Sequence, residues 1–337
     1  MSLADSVLPL VRTRRGVHRW DVANDYGAGL HGAVHLLREA TQTEPPADVL
    51  QVTQKAIDIA CKVIMRADDS SGIIGDAIYA LLALHAEAAC AAPQPFHKLV
   101  DWMIAFQFTN ECDFFQIDPV AYGPALGDVG MASYKARLDA IAADLGPEPT
   151  PGQLKSWALS SDRVEWERAS RDRHARFVLE LNARRLAVWD RDVAAIIATH
   201  QRDRKVAAWV KDTAEALAEI GEFDLAIDWA SQATHFDLGH QAASASDYWC
   251  ALLAEHRPDE ELDACLDVFR RWPTAGHAGG LHAAAGPQCQ WPAYRDDVMA
   301  VLTPHPREAV TFALNGLKDV RLAWELANSL DLDDWHL

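Results

Sequence analysis

Hydrophobic residues recur along this chain with the period of an α-helix. In VTQKAIDIACKVIMRA, the apolar row Ile57, Ala60 and Ile64 follows spacings of three and four residues, which place side chains on one helix face. In GDAIYALLALHAEAACAA, a second row runs from Ile78 to His85, and Ala, Leu and Ile cover nearly the whole circumference. This second helix should be buried on most sides. Sustained period-two alternation is missing, so the sequence predicts an all-α protein.

Pro, Gly and Asp interrupt the helical pattern about every 15 to 25 residues. Successive helices joined by short turns form antiparallel pairs, and a series of pairs forms an α-α superhelix, or solenoid. The strongest break is LGPEPTPG (145–152), which predicts a boundary between an N-terminal helical bundle (1–145) and a C-terminal helical-repeat region (153–337). The alternative is a loop within one continuous superhelix. The breaks lie at 41–48, 68–72, 91–95, 145–152, 220–223, 256–260, 271–280 and 303–308.

Tryptophan recurs in the second half of the chain at nearly constant spacing. Four of these residues are 20 positions apart, and two more follow at similar intervals: Trp189, Trp209, Trp229, Trp249, Trp272 and Trp291. Twenty residues is about one helix plus one turn, and Trp fills wide gaps between packed helices. We therefore expect each Trp to mark one helix of the series.

The charge balance bears on the class of partner. Among 337 residues, 49 are Asp or Glu and 31 are Lys or Arg, which gives a net charge of -18. Such a charge repels phosphate backbones and anionic lipids, so we expect neither nucleic acid nor membrane as a partner. No segment approaches the ~20 apolar residues that cross a bilayer, and the first arginines follow the N-terminal apolar run instead of preceding it, unlike a secretory signal.

The six cysteines, at positions 61, 90, 112, 250, 265 and 289, are widely scattered. No pair has CxxC or CxC spacing, so neither a zinc knuckle nor a redox motif is indicated. Cys61, Cys90 and Cys265 lie in apolar helical stretches, where a free cysteine usually acts as a small buried hydrophobic residue. This pattern predicts a reduced, cytoplasmic protein.

The stretch AEALAEIGEFDLAIDWASQAT (214–234) resembles a tetratricopeptide-type helical hairpin. Gly221 stands in the turn, and Ala226 and Ala233 begin and end the packing face of the second helix, where small residues let two helices approach closely. The closing Pro of such a repeat is replaced by FDLG. The stretch HPREAVTFALNGLKDVRLAWELANSLDLDD (305–334) looks like another such pair, with AWELANSL packed on AVTFALNGL.

Three stretches of the N-terminal half are ANDYGAGLHGAVHLLREA, DDSSGIIGDAIYALLALHAEAACAA and DFFQIDPVAYGPALGDVGMASYKARLDAIA. They resemble an uncharacterised bacterial family of helical proteins related to the helical regions that accompany SWIM-type zinc fingers. The resemblance runs from about residue 20 to the C-terminus. It implies a helical fold and no activity. The CxC…CxH ligand set of the finger is absent from the sequence, so no zinc-binding or DNA-binding role follows.

RADDSSGIIGD (66–76) has the composition of an ion-binding loop. An EF-hand that starts at Asp68 would need Gly at its sixth position and Glu at its twelfth, where Ile73 and Tyr79 stand. A P-loop would need Lys after its second Gly, where Asp76 follows Gly75. The sequence instead predicts a turn whose Asp and Ser side chains cap a helix that begins near position 73 or 74.

His31 and His35 are four residues apart and share one helix face. An HExxH metal site would need Glu at position 32, which is Gly32, and no third ligand is apparent. We interpret both histidines as packing or capping residues at a helix interface.

Two further segments carry candidate acid/base groups. Glu111, Asp113 and Asp118 surround two phenylalanines, and paired carboxylates perform acid/base chemistry when folding brings them into a cleft. The alternative is an acidic loop anchored by its aromatic side chains. His277 and His282 lie in a Gly/Ala-rich segment, without a nucleophile or an acid at a diagnostic spacing.

The sequence therefore assigns no catalytic, cofactor-binding or metal-binding residue. A superhelix of antiparallel, tetratricopeptide-like helix pairs presents a long concave surface, which favours a non-enzymatic scaffold for protein or peptide. One alternative is an enzyme on an α/α scaffold, with carboxylates, His and Trp drawn from turns such as 110–118 and 272–282. The other is a subunit that only oligomerises.

Overall fold

The chain folds into helices joined by short turns. The computed structural model describes residues 2–92, 94–109, 112, 114–159, 163–201, 205–286 and 289–329, and none of these residues lies in a strand. The predicted all-α class is confirmed. Contacts between Cα atoms divide the chain into two compact units, Met1–Asp190 and Arg191–Leu337.

The first unit packs its helices around one apolar core. α3 packs on α4, α2 packs on α4, and α1 lies against both α2 and α3. Leu30, Ile57, Ile78 and Leu81 are completely buried there, as the helical period predicts. In chain order, the described helices are α1 (Leu3–Val11), α2 (Trp20–Thr43), α3 (Pro46–Ile64), α4 (Ile73–Ala91), α5 (Phe96–Phe108), a 3-10 helix (Pro119–Tyr122), α6 (Gly123–Asp144), α7 (Pro151–Leu159) and α8 (Arg163–Trp189).

The strongest predicted break separates α6 from α7. Residues 146–152 lie within the first compact unit, where α7 packs on α8. The contact division instead falls after Asp190. The domain boundary predicted between 145 and 153 stays a prediction about which parts fold independently.

Among the described residues, one helix has the length and composition of a membrane span. This helix is α4, with 19 residues, so the expectation that no segment approaches this length is wrong. More than half of the apolar stretch of α4 is buried inside the first unit. That burial is typical of the core helix of a globular unit, which passes the same composition test.

Gly123, at the start of α6, lies against the ring of Trp189 at the end of α8. A Cβ atom at this position would lie 1.9 Å from Cζ3 of Trp189. The backbone at Gly123 is helical, with φ of -49°, so alanine would suit the conformation but not the space. We expect Gly123→Ala to lower the free energy of unfolding by about 2 kcal/mol, because overpacking forces the ring or the backbone to move.

Urea unfolding of the full chain measures this effect. Gly152→Ala is the matched control, since nothing lies within 4 Å of a Cβ atom there, and it should change the stability by less than about 0.5 kcal/mol. Equal stability of the two variants would show that the ring of Trp189 yields without cost.

The second unit packs each helix on the next in chain order. α10 packs on α11, α11 on α12, α12 on α13 and α13 on α14, and α10 also contacts α12. The helices are α9 (Val193–His200), α10 (Ala207–Glu219), α11 (Phe223–Thr234), α12 (His240–His256), α13 (Pro258–Arg271), α14 (Ala275–Ala285), α15 (Trp291–Leu302), α16 (Pro306–Thr311), a π-helical turn (Phe312–Gly316) and α17 (Val320–Ser329).

The spaced tryptophans fall on different elements but at different positions within them. Trp189 ends α8, Trp209, Trp229 and Trp249 lie within α10, α11 and α12, Trp272 follows α13 and Trp291 begins α15. Their constant spacing therefore reflects similar helix lengths and does not mark one repeated packing position.

The hairpin predicted over 214–234 is present as α10 and α11. Gly221 adopts a φ of +84° in the turn, a left-handed conformation that favours glycine. Ala226, Ala230 and Ala233 are completely buried, as expected for small residues between two close helices. The C-terminal pair also forms, because α17 packs on α16 and on the π-helical turn.

Candidate functional site

The segment 66–76 caps α4, as predicted. The carboxylate of Asp69 accepts hydrogen bonds from the backbone N–H groups of Ile74 and Gly75, each at 2.9 Å. Gly72 precedes the helix with φ of +77°. The Ser71 hydroxyl donates to Oδ1 of Asn24 at 2.6 Å, which ties the turn to α2. These contacts give the polar side chains of the turn a role in folding.

His31 and His35 lie on one face of α2, but that face is exposed. The buried positions of this helix include Ala33 and Leu37, which points the two histidines away from the core. Nε2 of His35 lies 3.4 Å from Oε1 of Glu39 on the same helix. The interpretation as packing or capping residues at a helix interface is therefore wrong.

The acidic loop before α6 uses Asp118 structurally. Its carboxylate accepts the backbone N–H of Val120 at 3.0 Å and binds Nε and Nη2 of Arg185 at 2.9 and 2.8 Å. The ring of Phe115 is buried, which agrees with a loop anchored by an aromatic side chain. Glu111 and Asp113 lie outside the described residues.

In the second unit, His277 sits in the first turn of α14. Its Nδ1 lies 2.7 Å from the carbonyl oxygen of Trp272, and its Nε2 lies 3.4 Å from Oδ1 of Asp247. The hydrogen bond with the Asp247 carboxylate raises the pKa of His277 above its usual value, and the Trp272 carbonyl adds to this effect. Because both ring nitrogens face acceptors, His277 is suited to be a cation and not a general base.

The segment 271–280 differs from its prediction. The predicted interruption is present but shorter: α13 ends at Arg271, and α14 already begins at Ala275 because the Thr274 side chain accepts the backbone N–H of His277. Asp247, the acid that accompanies His277, is 30 residues away in the sequence. No local spacing could reveal it. His282, on the same helix, instead contacts the ring of Trp291, with ring centroids 4.7 Å apart.

A second His–Asp pair lies at the C-terminal end of α11. Nε2 of His235 is 3.1 Å from Oδ2 of Asp267 on α13. The imidazole edge also meets the ring of Trp249, with centroids 5.4 Å apart. This pair joins three helices of the second unit, and apart from the spaced tryptophans no sequence pattern indicates it.

The end of α13 fixes the connection between α11 and α12, which we call the 235–239 loop. Nη2 of Arg271 donates to the carbonyl oxygen of Asp237 at 3.0 Å, and Nε1 of Trp272 donates to that of Leu238 at 3.2 Å. Two apolar side chains of this loop still face solvent, Phe236 with 40% and Leu238 with 70% of its surface exposed. The loop therefore presents apolar groups on a hydrogen-bonded backbone.

Acidic side chains predominate around this loop. Residues 207–271, which form α10 to α13, contain 14 Asp or Glu and 4 Lys or Arg. Within the described part of the chain, no group of three or more His, Cys, Asp or Glu side chains is placed to hold a metal ion. The arrangement is chemically suited to bind a cationic segment that also carries an apolar side chain.

A family model described as a family of unknown function (DUF6880) matches residues 7–277. The chain belongs to this family. The DUF6880 match covers most of both compact units and includes the 235–239 loop and His277. The resemblance to SWIM-associated helical regions and to tetratricopeptide repeats stays a prediction. Neither a curated protein nor a solved structure matches the chain significantly.

Proposed function

We propose that this DUF6880 protein is a non-enzymatic helical-repeat scaffold that binds a segment of another protein, or a peptide. The segment combines Lys or Arg with an apolar side chain. The observation that carries this proposal is the 235–239 loop, which exposes Phe236 and Leu238 within a strongly acidic series of helices. Apolar groups supply most of the affinity at such surfaces.

The packing order of the second unit supports a tetratricopeptide-like superhelix. Each helix from α10 to α14 packs on its neighbour in the chain, and α10 also reaches α12. Contacts restricted to near neighbours in the chain are characteristic of solenoids, which use an extended surface for binding. The buried alanines of α11 allow the close helix approach that such a stack requires.

The backbone contacts of the 235–239 loop favour binding without a large entropic cost. Arg271 and Trp272 already hold the loop in one conformation, and a preorganised surface loses less freedom when a partner binds. The surrounding carboxylates attract a cationic segment over long range and raise its association rate.

The net charge of the chain also bears on which partners and which cellular location we propose. A net charge of -18 disfavours nucleic acid and anionic membrane surfaces as partners. We also propose a cytoplasmic location, because six free cysteines suit a reducing compartment.

Arrayed synthetic peptides of equal length test the proposed binding function. Basic, acidic and apolar content should vary independently among them, and the purified full chain serves as the probe. We expect binding only where basic and apolar residues occur together, and weaker binding as salt screens the charges. The double substitution Phe236→Ser and Leu238→Ser should weaken it at least about tenfold.

The matched control is Val320→Ser on α17, because Val320 is as exposed as Leu238, at 68%. It should leave peptide binding unchanged. Equal binding of acidic peptides, or full binding by the double variant, would contradict the proposal. If the wild type sediments as a dimer and the double variant as a monomer, the oligomerising subunit becomes the better interpretation.

A further inference from the structure

Cys250 and Cys265 face each other across the hairpin of α12 and α13. Arg257 joins these helices, and Cys250 is seven residues before it while Cys265 is eight residues after it. Positions at nearly equal distances from the turn of an antiparallel pair lie at about the same level along the two helices. Cys250 packs against the apolar cluster that contains Cys265, so the two thiols lie on the facing sides of this helix pair. A spacing of 15 residues conceals this pairing from a search for CxxC motifs.

The two thiols differ in accessibility. Cys265 belongs to the apolar core of this part of the unit and is 5% exposed, whereas Cys250 is only partly buried beside it. A small solute therefore reaches the pair from the Cys250 side. The other described cysteines are not placed in this way, since Cys90 and Cys289 are exposed and Cys61 and Cys112 are buried.

The electrostatic environment separates the roles of the two sulfur atoms. The neighbouring Cys250 thiol lowers the pKa of the Cys265 thiol, and the His277 side chain lowers it further, against the opposing effects of burial, Glu261 and Asp247. The same interaction between the two thiols, together with burial, raises the pKa of Cys250. These opposite directions favour Cys265 as the sulfur that attacks the oxidant and Cys250 as the sulfur that resolves the product, the division of roles that dithiol oxidation needs.

We propose that Cys250 and Cys265 are a peroxide-reactive dithiol that forms a disulfide between α12 and α13. The proposal rests on the opposed position of the two thiols in the hairpin and on α14, whose first turn carries His277 and packs into the same apolar cluster as Cys265 through Ala275 and Ala278. It does not depend on the proposed binding function.

The reaction proceeds in two steps with hydrogen peroxide as the oxidant. The Cys265 thiolate attacks one peroxide oxygen, the O–O bond breaks, and hydroxide leaves as Cys265 becomes a sulfenic acid. The Cys250 sulfur then attacks the Cys265 sulfur, the S–O bond breaks, and the proton of Cys250 and the departing hydroxide form water. Solvent protonates the first hydroxide. The two sulfur atoms lose two electrons, and the peroxide becomes two water molecules.

Peptide mapping of the full-length protein tests the assignment. The reduced chain is treated with an equimolar amount of hydrogen peroxide and digested without reductant. The expected main product is a Cys250–Cys265 disulfide, with a mass loss of two hydrogen atoms that dithiothreitol reverses. In Cys250→Ser, dimedone should label Cys265 as a sulfenic acid, whereas in Cys265→Ser it should leave Cys250 unlabelled.

The position of His277 provides a second readout. His277→Gln should slow oxidation of the pair about tenfold, because the thiolate loses its neighbouring cation. His282→Gln on the same helix is the control and should leave the rate unchanged, with circular dichroism confirming the fold of both variants. Faster oxidation of the exposed Cys90 or Cys289, or dimedone labelling of Cys250 instead of Cys265, would overturn the proposal. An unchanged rate in His277→Gln would contradict the role of the imidazolium.

Discussion

Between pH 7 and pH 5, the first unit is expected to lose about 2 kcal/mol of stability through His85 alone. His85 lies on α4 and is almost completely buried. Burial lowers its pKa from 6.5 to about 3. The protein must therefore keep this imidazole neutral in order to remain folded.

The surroundings of His85 explain why its charged form is disfavoured. Nδ1 lies 3.0 Å from the hydroxyl oxygen of Tyr122, and the imidazole stacks on the ring of Trp102 with centroids 3.9 Å apart. Nε2 has no hydrogen-bond partner among the described residues. Protonation would add a charge to this buried ring, whose Nε2–H would find no acceptor in the described part of the chain.

The direction of the pH effect follows from the lowered pKa. In the unfolded chain the imidazole binds a proton below about pH 6.5, whereas in the folded protein it does so only near pH 3. The contribution of neutral His85 is fully present above the unfolded value and is lost as the pH falls toward the folded value. Within this window the loss approaches about 1.4 kcal/mol per pH unit.

Urea unfolding at pH 7 and pH 5, followed by circular dichroism, measures this dependence. The double variant His85→Phe and Tyr122→Phe keeps two aromatic rings and removes both polar groups, so the difference between the two pH values should shrink by about 2 kcal/mol. His31→Gln changes an exposed histidine of the same unit and should leave the difference unchanged. A double variant with the wild-type pH dependence would show that another group is responsible.

Much of the helical architecture follows from local features of the sequence. Apolar rows such as the one from Ile78 to His85 fixed α4 and its burial, since a helix with apolar residues on nearly all sides must lie inside. The ends of most helices agree with the Pro and Gly breaks, because these residues cannot continue a helix in either direction without cost. The break predicted at 271–280 is longer than the one in the structure, because the glycines within α14 resemble a turn.

The polar sites could not be predicted in the same way. His31 and His35 share a helix face, but the sequence does not say which neighbour covers that face, and in the structure no core side chain does. Cys90, expected to be buried, is exposed near the C-terminus of α4, where the apolar pattern continues past the packed core. Asp247 and His277 meet only because α12 lies near α14, which depends on the tertiary packing.

The buried network of Gln107, Tyr134 and Asn182 could not be predicted from the sequence either, because polar residues on helices usually face solvent. These side chains come from α5, α6 and α8 and form a closed ring of hydrogen bonds. Gln107 Nε2 donates to the Tyr134 hydroxyl at 2.6 Å, that hydroxyl donates to Asn182 Oδ1 at 2.6 Å, and Asn182 Nδ2 donates to Gln107 Oε1 at 2.9 Å. All three residues are buried.

Asn182→Ala is expected to lower the free energy of unfolding by about 3 kcal/mol, because it leaves the Tyr134 O–H and Gln107 Oε1 unpaired in a buried site and opens a cavity. Tyr134→Phe should cost less, since it removes the hydroxyl and leaves no cavity. In the double variant the cost should be smaller than the sum of the two single effects, since the bond between Tyr134 and Asn182 can be lost only once.

Urea unfolding at pH 7 measures the stabilities of the wild type, the two single variants and the double variant. Gln51→Ala on the exposed side of α3 is the surface control and should change the stability by less than about 0.5 kcal/mol. Strict additivity of the two single substitutions would mean that the three helices are held together by apolar packing, with each polar group satisfied separately. A coupling energy above about 1 kcal/mol would instead show that the ring acts as one unit, which closes only when α5, α6 and α8 are docked together.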